Sequence, residues 1–288
     1  MRTDYKLRAK FRALTDHAAT GIAVLSTLLV VTPLIAIFIY LVVRGVGSLN
    51  LAFFTKVPVP VGETGGGMAN AIVGSAVLLG LASAIGIPIG IGAGIYLAEF
   101  GRGTKIANAI RFTADVLNGV PSIVMGLAAY SLVVVPQNHF SAFSGGVALG
   151  IMMIPTVCRT TEEMLLMVPH AVREAALGLG VPNWRSVLSI TVKTASPGII
   201  TGCMLAFARV AGETAPLLFT ALGNQFWSTS LNEPIAALPL QIYVYALSPY
   251  DDWHRLAWAG ALVLIVLIVL AVSLVRYVTS RGVLKGTS

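Results

Sequence analysis

Residues 172–221 read VREAALGLGVPNWRSVLSITVKTASPGIITGCMLAFARVAGETAPLLFTA, and two features of this stretch organise the rest of the chain. A short polar segment rich in turn-forming residues comes first. An apolar run follows it and contains two charged residues, Arg209 and Glu213. A charge at the centre of a membrane helix costs about 3 kcal/mol to insert, so such groups normally face protein or an aqueous cavity. The run therefore predicts a membrane helix with a functional face.

The small and charged residues of this run fall on one stripe of the predicted helix. Residues four apart share a helix face, so Arg209 and Glu213 are expected to meet. At about 100° per residue, six positions lie within an arc of about 80°: Gly202, Ala206, Arg209, Glu213, Pro216 and Thr220. A structural ion pair that locks two helices together is the alternative interpretation. The stripe of small and charged residues, with a proline inside it, favours a path for a solute.

Composition indicates a membrane protein. The chain is 56% hydrophobic and 11% charged, with a mean hydropathy of +0.85, whereas soluble proteins average about 25% charged residues. The first apolar run is too long for a signal peptide, which predicts an uncleaved span. The glycines at 86, 90 and 94 have the spacing that lets two membrane helices pack closely. We predict an all-α polytopic membrane protein with six transmembrane helices, at residues 21–43, 69–97, 114–135, 143–157, 198–222 and 257–277.

The distribution of positive charge predicts the orientation. With six spans, 15 of the 19 lysines and arginines lie on the side that carries both termini. By the positive-inside rule this side is the cytoplasm. The net charge of +7 is then explained by membrane topology, so we exclude nucleic acid as a partner and expect membrane lipid around the chain. The predicted organisation is a cytoplasmic tail at 1–20, a transmembrane domain at 21–278 and a second cytoplasmic tail at 279–288.

The polar segment, which we call the elbow, spans about residues 169–193 on the cytoplasmic side. Pro169 suits the first turn of a short helix that would run to Leu179. Gly180 suits its end, and Asn183 can cap a second short helix that begins at Trp184. The residues alone leave two interpretations open, a docking elbow and an ordinary re-entrant bend.

The spacing of five residues in the elbow resembles the EAA loop of ABC importer permeases. That pattern reads EAA, three residues, G, nine residues, I, one residue, LP, and Val192 and Lys193 stand here in place of the closing Leu-Pro. In this family the segment is the coupling helix that docks on a cytoplasmic ATPase. The resemblance implies that ATPase coupling is carried by Glu174, Ala175, Ala176 and Gly180, with Arg173 and Arg185 as charged contacts around them.

A longer motif makes the resemblance more specific. ARVAGETAPLLFTA, at residues 208–221, resembles the signature of PstA-type permeases of phosphate ABC importers. Three fragments support it: GGGMANAIVGS at 65–75, LNGVPSIVMGL at 117–127 and AALPLQIYVYALSP at 236–249. The resemblance implies a type I ABC importer permease fold in the cell inner membrane. It also implies phosphate passage at Arg209 and Glu213, and we place Gly202 and Thr220 along the same path.

The implied partners are a homologous permease of the PstC type, two ATPase subunits and an external phosphate-binding protein. The sequence contains no GxxxxGK[ST] loop for ATP and no HExxH or CxxC motif. We therefore expect a non-catalytic chain that binds no cofactor, with ATP and Mg²⁺ on the partner ATPase. ATP-driven movement of the elbow would tilt the fifth span and expose Arg209 alternately to the two sides.

Three alternatives remain from the residues. A permease for another oxyanion, such as molybdate or sulfate, would use the same arginine. A secondary transporter or channel could use the two charges in an ion relay without an ATPase. A membrane enzyme is the weakest alternative, because Glu99, Asp115 and Glu162 form no recognisable metal-ligand pattern.

Overall fold

The computed structural model describes residues 2–63 and 65–285. Within these ranges the regular elements are helices, apart from an isolated bridge between Leu222 and Ile235. Three π-helical turns extend the helices: Tyr96–Phe100 after α3, Tyr130–Val134 after α5 and Val187–Thr191 after α9. The α-helices are α1 Arg2–Val46, α2 Leu51–Thr55, α3 Ala69–Ile95, α4 Lys105–Gly119, α5 Ser122–Ala129, α6 Val135–Gln137, α7 Ala142–Leu166, α8 His170–Gly178, α9 Asn183–Ser186, α10 Val192–Ala211, α11 Ala215–Leu218, α12 Leu238–Ala246 and α13 Asp251–Lys285.

Length and hydropathy make five of the described segments candidates to cross a membrane. They are Thr15–Val46, Ala69–Phe100, Ala142–Leu166, Asn183–Ala211 and Asp251–Thr279. A sixth would be the pair Lys105–Gly119 and Ser122–Gln137, which is bent by 111°. The expectation of one straight helix at 114–135 is therefore wrong. Pro121 explains the bend, because a proline forces the residue before it out of the helical region, and Val120 has an extended ψ of 132°.

The first helix lies mostly outside the packed bundle. It begins at Arg2, so residues 2–20 of the predicted N-terminal tail are continuous with the first span. Its contact with α13 is near its end, where the ring of Tyr40 meets that of Trp258 edge-on at 5.1 Å. Ile22, Leu29 and most of the other apolar side chains before this contact are exposed, as lipid-facing residues would be. Met1 and residues 286–288, which belong to the two predicted tails, lie outside the described residues.

The centre of the bundle is the contact between α3 and α7. Gly86, Gly90 and Gly94 all face α7, which confirms the close packing that their spacing predicts. A Cβ atom on Gly90 would lie 2.6 Å from the Cβ of Val157, and one on Gly94 would lie 2.6 Å from the Cβ of Thr161. The two backbones therefore approach more closely than side chains would allow, and this fixes α3 and α7 as one rigid pair.

An ion-pair network explains why α7 extends beyond the predicted limit of the fourth span at residue 157. Glu162 is almost fully buried in α7, and its carboxylate lies 2.6 Å from Arg111 of α4 and 3.0 Å from Arg159. Arg159 also lies 3.1 Å from Asp115 of α4. Because both buried oxygens of Glu162 have a guanidinium partner, the helix can carry this charge through its last turns. The network ties α4 to α7.

The fifth span differs from its predicted form. A continuous helix at 198–222 is wrong, because α10 ends at Ala211 and the short α11 begins at Ala215. Pro216 cannot bond the carbonyl of Gly212, which stops the helix at this point. Pro197 is tolerated inside α10 because the hydroxyl of Ser196 donates to the carbonyl of Lys193, at 2.7 Å, in place of the missing N–H. No Leu-Pro pair interrupts the start of α10, so the elbow leads into it without a break.

Candidate functional site

The break between α10 and α11 lies well inside the bundle. Glu213, in the middle of the break, lines a small cleft with Leu78 of α3 and Leu149 of α7. Leu149 is seven residues into α7, which places it about 10 Å from the start of that helix. Irregular backbone at such a depth is tolerated in a membrane only where it is buried in protein or lines a water-filled cavity. In transporters, interrupted helices of this kind mark binding sites.

Arg209 lies in the last turn of α10, just before the break, and its side chain is exposed on the surface of the chain. Glu213 is partly exposed. Within the part of the chain that the structure describes, neither side chain makes an ion pair or a hydrogen bond. The expectation that the two would meet is wrong, because the helix ends between them and the spacing of four residues no longer places them on one face. Arg209 therefore offers all five guanidinium N–H donors to something outside this chain.

Gly202 and Thr220 do not belong to the exposed surface. Gly202 packs on α7, where a Cβ atom would lie 2.5 Å from the hydroxyl of Thr160. Thr220 is fully buried, and its hydroxyl donates to the carbonyl of Pro216 at 2.8 Å. The expectation that Gly202 and Thr220 line the path is therefore corrected, because both residues pack inside the chain. Of the predicted stripe, Arg209 and Glu213 remain accessible.

The elbow consists of two short helices, as predicted, with small differences at their ends. Gly180 has a φ of +79°, the left-handed conformation expected at a helix end. Pro182 precedes the second helix, so Asn183 is its first residue rather than its cap. The first helix ends at Gly178 instead of the predicted Leu179, and Leu179 is 84% exposed.

Most of the predicted coupling residues lie on the surface of the elbow. Glu174, Ala175, Gly180 and Arg185 are exposed, while Ala176 is buried and packs the elbow onto the chain. The sequence analysis missed an apolar component of this surface. The signal in the sequence was the presence of apolar side chains in an otherwise polar segment, and the structure shows four of them exposed: Leu177, Leu179, Trp184 and Leu188.

Arg173 differs from the other coupling residues because its side chain turns inward. One of its terminal nitrogens, Nη2, lies 2.8 Å from Oε1 of Glu99 and donates to the carbonyl of Leu165 at 2.6 Å. The expectation of an exposed charged contact at Arg173 is therefore wrong. Sequence reasoning also missed Glu99 as its partner, because nothing in a single sequence connects residues 74 positions apart.

Comparison with known proteins identifies the family of this chain. A family model described as binding-protein-dependent transport system inner membrane component matches residues 86–282. The phosphate transport system permease protein PstA of Yersinia pestis is 49% identical over 248 residues, which are 86% of this chain and 84% of the relative. The chain belongs to the PstA family of inner membrane permeases. The PstA protein of Haemophilus influenzae is 45% identical over 95% of this PstA-type chain and 96% of its own length.

Solved structures confirm the fold of this PstA-type permease. A chain of the MetNI methionine ABC transporter, in an inward-facing conformation, superposes with a TM-score of 0.56 at 19% identity, covering 75% of this chain and 95% of that one. A chain of an amino acid ABC transporter gives a TM-score of 0.54 at 18% identity, covering 73% and 92%. The all-α architecture is thus that of type I ABC importer permeases, as the sequence predicts.

Proposed function

We propose that this PstA-type chain is the permease subunit of an ATP-driven importer of inorganic phosphate. The observation that carries the proposal is the exposed and unpaired guanidinium of Arg209 beside a break in a spanning helix. Relatives that share nearly half of its residues are named phosphate transport system permeases, which supports phosphate as the solute.

The chemistry of the break suits an oxyanion. A guanidinium presents N–H groups in a planar fork that matches two oxygens of a phosphate, and charge-assisted hydrogen bonds of this kind are strong. Glu213 lies four residues further along the chain and has no side-chain partner among the described residues. Its carboxylate would repel a bound anion, so that the site releases what it binds. A carrier needs both properties.

The remaining partners follow from which surfaces are exposed. Arg209 lies on the outside of a single chain, so a second permease of the PstC type would supply the opposite wall of the path. Two ATPase subunits, carrying ATP and Mg²⁺, would dock at the two permeases, one of them at the exposed surface around Glu174 and Trp184. An external phosphate-binding protein would deliver the solute. The excess of positive charge on one side of the chain supports a cytoplasmic position for the elbow and both termini.

The test of the function uses the whole complex in proteoliposomes. We expect phosphate uptake only when the ATPase side is supplied with ATP, and we expect excess sulfate or molybdate to compete weakly. Uptake without ATP would show a secondary transporter or channel. Uptake of sulfate or molybdate in preference to phosphate would show a permease for another oxyanion.

Glu174→Ala tests the docking surface. Glu174 is exposed and has no partner in the described part of the chain, so its removal should leave the fold intact. We expect at least about a tenfold loss of both co-purified ATPase and phosphate uptake, which corresponds to about 1.4 kcal/mol of docking energy. Glu163→Ala, which removes an exposed carboxylate at the end of α7, is the control. Unchanged ATPase binding in Glu174→Ala would contradict the assignment.

A further inference from the structure

The first helix of the elbow has little apolar packing to hold it in place. Ala176 is the buried residue of α8, and Val172 packs partly against the main core. The other principal neighbours of α8 are α9 and the π-helical turn Val187–Thr191, and both of these belong to the elbow. Packing alone therefore gives α8 a weak connection to the membrane-spanning helices.

The Arg173–Glu99 pair adds a side-chain connection to the three-residue link between α7 and α8. A single nitrogen of Arg173, on α8, contacts both the carboxylate of Glu99 and the carbonyl of Leu165. The two charged side chains are only 12% and 10% exposed, so solvent screens their attraction weakly. Leu165 lies in the last turn of α7, where a positive charge interacts favourably with the helix dipole. Arg173 thus joins the elbow to two spanning segments at once.

The position of Glu99 makes this connection mechanically useful. Glu99 lies in the π-helical turn that extends α3 towards the elbow. π-helical turns inside longer helices occur often at functional sites. Because α3 and α7 pack as one rigid pair through Gly86, Gly90 and Gly94, a displacement of Arg173 acts on the whole pair.

We propose that Arg173 and Glu99 are positioning residues that transmit movement of the elbow to the α3–α7 pair. This inference rests on the proposed function, in which an ATPase moves the elbow. Besides the short chain link at residues 167–169 into α7, two connections then leave the elbow, one through the π-helical turn into α10 and the other through Arg173 into α3 and α7. The first moves the helix that bears Arg209, and the second moves the helices that line the cleft beside Glu213. Without the second connection, the movement would reach α3 and α7 only through the chain link and through their packing on α10, and less phosphate would be moved for each ATP hydrolysed.

The experiment measures the number of phosphate ions moved per ATP hydrolysed in the reconstituted complex. We expect Arg173→Gln and Glu99→Gln each to lower this ratio by about fivefold or more, the lower range of typical coupling between sites, while the ATPase stays bound. Glu163→Gln is the control variant. It removes an exposed charge two residues before Leu165 in the sequence, and it should leave the ratio unchanged.

Two further variants separate transmission from a general structural defect. The double variant Arg173→Gln with Glu99→Gln should be no worse than Arg173→Gln alone, because Glu99 acts through its contact with Arg173. Arg173→Lys should keep most of the ratio, since one nitrogen makes both contacts. If Arg173→Gln fails to reach the membrane, Glu99→Gln and Arg173→Lys still test whether the contact transmits movement of the elbow.

An unchanged ratio in Glu99→Gln would overturn the inference, as would a double variant whose loss is the product of the two single losses. The inference would also be overturned if Arg173→Gln bound less ATPase but kept a normal ratio of phosphate moved to ATP hydrolysed. That result would show that Arg173 acts in docking the ATPase. A wild-type complex that moves no phosphate with ATP would instead refute the proposed function itself, and that result is visible before any variant is made.

Discussion

Replacing Arg209 with alanine is expected to lower ATP-driven phosphate uptake by at least about 100-fold. Two charge-assisted hydrogen bonds to an anion contribute about 3 kcal/mol or more together, and each 1.4 kcal/mol corresponds to a factor of ten. Arg209 has no partner in the described part of the chain, so its loss should not destabilise the permease. Uptake is measured in proteoliposomes and compared with the amount of permease in the membrane.

Two companion variants sharpen this prediction. Arg209→Lys keeps the charge but loses the planar fork, so we expect an intermediate loss of about tenfold. Arg276→Ala, which removes an exposed arginine on α13, should transport normally. Full uptake by Arg209→Lys would show that a bidentate contact is not needed. Full uptake by Arg209→Ala would place the phosphate route elsewhere in the complex.

The second large effect is expected at the α3–α7 contact, where Gly90→Leu should prevent stable folding. The new Cβ would lie 2.6 Å from the Cβ of Val157 and 3.1 Å from the carbonyl of Ile154, so the helices would have to separate. Overpacking of this kind lowers the free energy of unfolding by about 3 kcal/mol, and the shift of the two helix backbones lowers it further. We expect the variant to be lost from the membrane or to unfold at a clearly lower temperature in detergent.

Gly92 provides the matched control for this substitution. It lies two residues away on the same helix, is exposed, and has no atom within 4 Å of its would-be Cβ. The unfolding temperature of Gly92→Leu should therefore lie within a few degrees of that of the wild type. Equal stability of the two variants would mean that α3 and α7 do not pack as the structure has them.

Hydropathy predicted which segments lie in the membrane but not how the backbone runs through them. The predicted span at 114–135, which contains Pro121, is mostly apolar, so its composition resembles that of a straight span, although the chain turns by 111° there. Glycine spacing was more informative at Gly90, because close packing of two helices depends directly on the absence of side chains. Helix ends inside apolar runs depend on prolines and on the surrounding helices, which composition does not report.

For the candidate site, the sequence indicated residues but not their geometry. Arg209 and Glu213 stood out because charged residues are rare in an apolar run. The prediction that they share one helix face, however, assumed a helix that continues past Gly212. The same assumption placed Thr220 on the exposed stripe. Arg173 was expected to face a partner because it lies in a polar segment. Its contact with Glu99 depends on the fold of the whole chain, which local spacing does not encode.

The exposure of Arg209 on the surface of a single subunit has a consequence for the cell. An orphan copy of this protein would hold a bare guanidinium against acyl chains, which is costly unless the bilayer thins or water enters. Such a copy should be recognised and degraded by membrane proteases. If the proposed second permease covers Arg209, accumulation of this chain would then require synthesis of that partner in a matched amount.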